Sequence, residues 1–245
     1  YEFQNFMKKC KTKELEDFCR QLGFDLFGVI EPKQNKTIKY FERWLRNHYQ
    51  AEMKWLEKLD KRREPTKVLN DCRSVLVLGV SYFNRNYTQK EIKDKNKALI
   101  ARYAWGNDYH EVLGNKMKKI VTWLKENYGD NYQHKFYIDT GPILEKTLAQ
   151  EAGLGFFGKN TLLINHKIGS YFFIACLFTQ IPFEVTEKKV IGGCGNCQKC
   201  IQNCPTGALV KPYVLDANKC LSYQTIENRG DIPKKLKKKM NNRIF

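Results

Sequence analysis

Apolar and polar positions change period several times along the chain, and each change predicts an element. In residues 12–22 (TKELEDFCRQL) the apolar side chains recur at helical spacing, and Gly23 supplies the stop. FDLFGVI follows as a strand. Residues 38–60 carry a longer amphipathic pattern, closed by the charged segment Asp60-Lys61-Arg62-Arg63-Glu64-Pro65. SVLVLGVSYF (74–83) predicts a buried strand, and the polar residues 84–96 a loop. ALIARYAW (98–105) predicts another strand, and 108–127 a helix beginning near Asp108. KFYIDTG reads as a short strand and ILEKTLAQEAG as a helix with a glycine stop. TLLINHKIGSYFFIACLFT reads as two strands joined by a turn at NHKIG. Residues 185–191 form a linker, and from Gly192 the character changes to short loops and cysteine.

Strands and helices mix across residues 1–184, which predicts an α+β domain with a substantial sheet. Residues 185–245 form a second, cysteine-dominated domain. No internal repeat or low-complexity tract is visible. A hydrophobic content of 42% argues against general disorder. No apolar run approaches the roughly 20 residues that span a bilayer, and no signal-peptide pattern is visible. A cytoplasmic globular protein with no membrane partner is therefore expected.

Charge adds a question about partners. The chain carries 43 Lys plus Arg against 26 Asp plus Glu, a formal charge of +17. Such an excess favours nucleic acid or a membrane surface, while lysine that merely solvates the surface gives the same total. Part of it is local: after Asp231 come Lys234, Lys235, Lys237, Lys238, Lys239 and Arg243 with no acid among them. Pro233 suits the first turn of a helix there.

Cysteine adds chemistry. Cys10, Cys19, Cys72 and Cys176 are scattered, the first two on the N-terminal helix and Cys176 in an apolar strand. Cys194, Cys197, Cys200, Cys204 and Cys220 are concentrated. A disulfide framework would distribute its cysteines through the fold. The segment Cys194-Gly-Asn-Cys197-Gln-Lys-Cys200-Ile-Gln-Asn-Cys204-Pro205 instead fits C-x2-C-x2-C-x3-C-P at every position, the bacterial ferredoxin run for a 4Fe–4S cluster. Zinc sites set two C-x2-C pairs apart rather than three cysteines in tandem. Cys194, Cys197 and Cys200 then serve one cluster, while Cys204 and Cys220 point to a second. At four thiolates per cluster, three ligands are missing. Either the sequence stops before a second cysteine motif, or one cluster is completed by a remote cysteine.

Gly153-Leu-Gly155-Phe-Phe-Gly158-Lys159-Asn160-Thr161 contains G-x-G-x-x-G and G-x4-G-K, but a helix precedes it and a strand follows. That order is reversed for a dinucleotide site or a P-loop, and both are rejected. The glycines serve close backbone approach or turn punctuation, and Lys159 adds a cation.

Several segments together resemble the epoxyqueuosine reductase family: Arg102–His110 (RYAWGNDYH), Asp139–Glu145 (DTGPILE) and Ala152–Thr161 (AGLGFFGKNT). The others are Cys194 through Pro205-Thr-Gly-Ala-Leu, and Pro212–Tyr223 (PYVLDANKCLSY). The resemblance runs from about residue 10 to the end. Corrinoid reductive dehalogenases look like more distant relatives. In the family a second C-x2-C-x3-C-P motif follows the segment that resembles Asn242–Phe245, so the resemblance implies that this chain is a piece of a longer one.

The resemblance further implies a cobalamin-binding sheet domain followed by a ferredoxin-like domain with two 4Fe–4S clusters. It implies reduction of an epoxide on the tRNA wobble base to an alkene and water. Asp139 matches the family's proton donor, which would need burial to stay protonated; a lone Asp before Gly-Pro is otherwise a turn or helix cap. Arg62, Arg102, Asn160, Lys159 and Ser170 would line the corrinoid with Asp139. Tyr103, Asp108, Tyr109 and His110 would shape the pocket; a histidine at the start of a helix is more often a cap or surface contact than a cobalt ligand, and the tyrosines also read as core packing. The implied partners are a tRNA anticodon loop, touched by Lys234, Lys235, Lys237 and Lys238, and a low-potential electron donor. A monomer is expected. The competing functions are a simple iron–sulfur electron carrier, another corrinoid reductase, and a basic RNA-binding module holding zinc.

Overall fold

Val75 and Val77 pack on one side of a strand and Leu76 and Leu78 on the other, and all four are fully buried. Alternate side chains leave a strand on opposite faces, so this one needs cover on both. In the computed structural model, which describes residues 10–187 and 189–245, it lies inside a four-stranded sheet. The elements in chain order are α1 (Lys13–Gln21), β1 (Leu26–Ile30), α2 (Ile38–Arg46), α3 (Asp60–Arg63), β2 (Ser74–Ser81) and α4 (Gln89–Lys93). Then come α5 (Tyr109–Tyr128), β3 (His134–Ile138), α6 (Glu145–Glu151), β4 (Phe156–Phe157), β5 (Leu163–Ile164) and β6 (Phe172–Thr179). The sheet order is β1-β2-β6-β3, antiparallel throughout, which makes the architecture α+β.

Two helical layers cover the sheet. Leu15 and Cys19 of α1 and Leu113, Met117, Ile120 and Leu124 of α5 recur at helical spacing and meet Phe27, Leu76, Leu78 and Leu177. On the other face Leu148 and Ala149 of α6, with Ala152 and Leu154, meet Val75, Val77, Cys176 and Phe178. Gly28 allows that second approach, since a Cβ there would stand 2.7 Å from the Ala152 carbonyl oxygen.

Several local expectations are corrected. The amphipathic stretch 38–60 is not one helix: α2 ends at Arg46, and His48 (φ 53°) and Ala51 (φ 54°) turn the chain before a 3-10 turn at Lys54–Glu57. The polar loop 84–96 contains α4, started by a reciprocal capping box between Thr88 and Glu91. Residues 98–105 form no sheet strand; Arg102–Ala104 is a 3-10 turn, and Leu99 pairs with Arg243 instead. β5 pairs back with β4 rather than with β6. Cys10 precedes α1 and bridges to Phe183. Part of the expected linker is not free either, since the Thr186 amide donates to the Val29 carbonyl at 3.0 Å.

Beyond Gly192 lie α7 (Lys199–Gln202), β7 (Leu209–Lys211), β8 (Val214–Leu215), α8 (Leu221–Ile226) and α9 (Lys234–Met240). Trp44 Nε1 donates to the Leu215 carbonyl at 2.6 Å, and the Ala217 amide to the Tyr49 carbonyl at 2.9 Å. The Tyr223 hydroxyl accepts from the Glu52 amide. Among the described residues no helix is long and apolar enough to cross a membrane.

Candidate functional site

The end of β2, the end of β3 and the start of β6 meet at one end of the sheet. Asp139 leaves β3 there in a left-handed conformation (φ 62°), which Asp tolerates better than β-branched residues do. Tyr109 is the first residue of α5, started by Asp108, whose side chain accepts from the His110 amide at 2.8 Å. The Tyr109 ring stacks on Phe173 (4.2 Å between centroids, 8° between planes), and its hydroxyl donates to Asp139 Oδ2 at 2.6 Å. Burial, and then that bond, push the Tyr109 hydroxyl well above its ordinary value, so it remains a donor. His110 Nδ1 lies 2.9 Å from Asp108 Oδ1; the cap of α5 is Asp108, and His110 sits in the first turn against it. Tyr103 meets Tyr109 edge-on at 6.2 Å and Phe245 at 5.6 Å.

Arg102 lies at the rim. It donates to the Arg85 carbonyl (2.8 Å), the Tyr171 hydroxyl (3.1 Å) and Asn86 Oδ1 (3.0 Å). Its guanidinium also lies over the rings of Tyr171, Tyr87 and Trp105. Phe83, 46% exposed, stacks on Tyr171.

A second group lies toward α6. Arg62 is 3% exposed. One of its terminal nitrogens donates to the Lys58 carbonyl, and its Nε is buried without a partner. Burial lowers its pKa. Glu145 opens α6 with Oε1 buried and unpaired. Burial raises it to about 7; its own backbone hydrogen bond opposes this, Asp139 adds to it, and Lys146 and Arg62 offset it. Asp139 itself is exposed, contrary to the burial expected of it. The desolvated carboxyl is Glu145, which the sequence reading passed over although it closes the Asp139–Glu145 motif.

The glycine loop is a hairpin. Cβ atoms at Gly155 and Gly158 would collide with Ile164, so the close backbone approach is between β4 and β5. Asn160 Oδ1 accepts from the Leu162 amide at 3.2 Å. Ser170 is half-buried between the Asn165–Gly169 turn and Tyr171. Lys159 reaches the cysteine loop: its amide donates to Cys194 Sγ at 3.3 Å and its Nζ to the Gly195 carbonyl at 2.7 Å.

The two kinds of cysteine separate physically. Burial pushes Cys19 up to about 12, Cys72 to about 11 and Cys176 well above the ordinary value, so these are neutral core thiols. Burial would raise Cys204 too, but the Leu209, Thr206 and Ala208 amides and the Thr206 hydroxyl outweigh it and lower the thiol. Donors aimed at sulfur suit a thiolate ligand. Cys220 caps α8. Among the described residues no three His, Cys, Asp or Glu side chains converge to hold one metal ion; a cubane spreads its ligands around a larger body. A cleft of about 610 Å³ lies at the other end of β3, beside Asn70, Lys125 and His134, away from Asp139.

Residues 62–140 match the family described as "Epoxyqueuosine reductase QueG, DUF1730". An epoxyqueuosine reductase of Prochlorococcus marinus is 37% identical over 238 residues, covering 95% of this chain and 74% of that protein. This chain belongs to the epoxyqueuosine reductase family. The family match on 62–140 contains Arg62, Arg102, Tyr109 and Asp139. Residues 193–245, with all five clustered cysteines, match a "4Fe-4S double cluster binding domain". The Pseudomonas aeruginosa epoxyqueuosine reductase is 34% identical over 236 residues, covering 96% of this chain and 65% of that protein. The chain thus spans just under two thirds of that relative, and 62% of the Escherichia coli one.

Among solved structures, the epoxyqueuosine reductase of Streptococcus thermophilus aligns with a TM-score of 0.86 at 26% identity, covering 96% of this chain and 62% of that one. An epoxyqueuosine reductase solved with an epoxyqueuosine-modified tRNA stem loop aligns at 0.83 and 28%, covering 95% and 61%. A reductive dehalogenase at 14% identity and a TM-score of 0.54, covering 92% and 33%, shares the fold alone.

Proposed function

We propose that this chain carries the pocket and cluster loop of an enzyme that reduces epoxyqueuosine to queuosine at the wobble position of tRNA. The observation that carries the reading is the Tyr109–Asp139 pair at the end of the sheet, in a chain of this family. Removing the epoxide oxygen consumes two electrons and two protons and yields an alkene and water. Opening the ring creates an alkoxide, and Asp139 would protonate it as general acid. Tyr109 holds the Asp139 carboxyl in place. Asp139 is exposed in the protein alone, which leaves its carboxyl open to a bound substrate.

The residues fit the two cofactors. The side-chain amides of a corrinoid carry both a carbonyl and an NH2, and the buried Arg62 Nε and Glu145 Oε1 offer the matching orphan donor and acceptor. With them, Arg102, Asn160, Ser170 and Asp139 would line a corrinoid in residues 1–184, whose cobalt would supply reducing equivalents when bound. Lys159 would hold the cluster loop against the glycine hairpin instead of reaching the corrinoid with its ammonium. Cys194, Cys197, Cys200, Cys204 and Cys220 would ligate two 4Fe–4S clusters in the ferredoxin-like residues 185–245. A low-potential donor would feed them, in a cytoplasmic monomer. The Phe83–Tyr171 stack with Arg102 over the Tyr171 ring suits the splayed bases of an anticodon loop.

The test is anaerobic turnover by the full-length protein, loaded with iron, sulfide and cobalamin, on a stem loop bearing epoxyqueuosine. Loss of one oxygen by mass spectrometry is the expected result. Iron without corrinoid binding would leave an electron carrier. Zinc in place of iron would overturn both.

A further inference from the structure

The backbone of residues 99–101 has two sets of partners. Tyr87 and Trp105, its neighbours in the sheet domain, take one: the Tyr87 hydroxyl accepts from the Ile100 amide at 2.9 Å and lies 2.8 Å from its carbonyl, which Trp105 Nε1 also reaches at 3.0 Å. The other set comes from far along the chain. The Leu99 amide donates to the Asn242 carbonyl at 2.7 Å, the Ile244 amide to the Leu99 carbonyl at 3.1 Å, and the Ala101 amide to the Phe245 carbonyl at 3.0 Å. The Asn242 side-chain amide has the carbonyls of Lys97, Asp94 and Ile92 within 3.1–3.4 Å, three acceptors for its two hydrogens. The Phe245 ring then packs on Tyr103, which packs on Tyr109, which holds Asp139.

The segment that makes these contacts starts in the cysteine-bearing part. Asn241 (φ 52°) turns it off α9, and Lys239 of α9 donates to the carbonyl of Pro205, the neighbour of Cys204. Without it, the Leu99 and Ala101 amides would lose the partners they have.

We propose that Asn242 and Phe245 are positioning residues: they clamp the Leu99–Tyr103 wall, and through Tyr103 the Tyr109–Asp139 pair, in a register set by the cluster-bearing part of the chain. The pocket is then fully formed only when that part is folded against it. The pocket's role rests on the function proposed above, but the clamp is measurable without it.

The experiment is hydrogen exchange on full-length protein with its clusters loaded, comparing the native chain with Asn242→Ala and Phe245→Ala. Losing the Asn242 side-chain hydrogen bonds in one variant, or the Phe245 ring's packing on Tyr103 in the other, loosens the segment whose backbone carbonyls hold the Leu99 and Ala101 amides, and should speed exchange at those two amides by roughly three- to tenfold, leaving β2 and β6 amides unchanged. Asn242→Asp, which sets a carboxylate against the same carbonyls, serves if the alanine variant does not fold, and should act in the same direction. Iron content should stay constant while cobalamin binds more weakly. Unchanged exchange at Leu99 and Ala101, or a uniform rise through β2 and β6, would overturn the clamp. If the native protein binds no cobalamin while the local exchange still responds, the function proposed above fails and the clamp stands.

Discussion

The Tyr109 hydroxyl and the Asp139 carboxyl group, brought together from the start of α5 and the end of β3, share a hydrogen bond of 2.6 Å. Each end is fixed independently, Tyr109 by its stack on Phe173 and its helix cap, Asp139 by a left-handed turn. Asp139→Asn keeps that backbone conformation, because Asn also tolerates it, but carries no acidic proton. Turnover should fall by about 10²–10⁴-fold with cobalamin retained, read by single-turnover kinetics and the corrinoid spectrum. Tyr109→Phe preserves the stack and removes only the donor, so a loss nearer tenfold is expected. Unchanged turnover in Asp139→Asn would argue that Asp139 merely orders the turn.

Glu145 makes stability pH-dependent. Its folded pKa, about 7, lies above the ordinary value of 4.5. Between those values the folded chain holds the proton that the unfolded chain has released, so stability falls as pH rises through this window and is level above it. Glu145→Gln removes the dependence. It should stabilise the protein at pH 8 by an amount on the order of 1–2 kcal/mol and make little difference near pH 4, checked by urea melts at both. A difference independent of pH would mean that Glu145 is not the titrating group.

Lys234, Lys235, Lys237 and Lys238 are exposed on α9. If they meet phosphate, replacing all four with alanine should weaken stem-loop binding and flatten its salt dependence by about one unit of slope per lost contact. A lower affinity with the same slope would place the phosphate contacts elsewhere.

The cysteines should divide by their surroundings. Cys204→Ala should lower iron per chain, because its sulfur is ringed by amide donors suited to a ligating thiolate. Cys19→Ala should leave iron unchanged, since that thiol is sealed in the core beside Leu15. Colorimetric iron assays on reconstituted protein distinguish the two.

The helices and long strands could be read from periodicity because local burial decides them: β2 is apolar on both faces, and α5 presents Leu113, Met117, Ile120 and Leu124 as one stripe. ALIARYAW misled because its pairing partner is Asn242–Phe245, and no local pattern encodes a contact so remote in sequence. The break after Arg46 depends on left-handed backbone at His48 and Ala51, where no glycine advertises it. The start of α4 was written in Thr88 and Glu91 but hidden by the polarity around it. For the candidate site, spacing alone marked the cysteines, and Asp139 came from resemblance. Glu145 stayed unseen because its chemistry comes from burial, which one residue letter does not carry.

The antiparallel order β1-β2-β6-β3 also constrains how the chain comes together in time. β2 finds β1 early, but its other edge stays open until β6, far downstream, has been synthesised. Pairings so distant in sequence pay loop-closure entropy before contacts reward them, and they slow folding. Leu99 waits longer still, for Asn242 and Ile244. The wall beside Asp139 thus closes only after the sheet it stands on, and a nascent sheet domain has that side ajar until Asn242–Phe245 arrives.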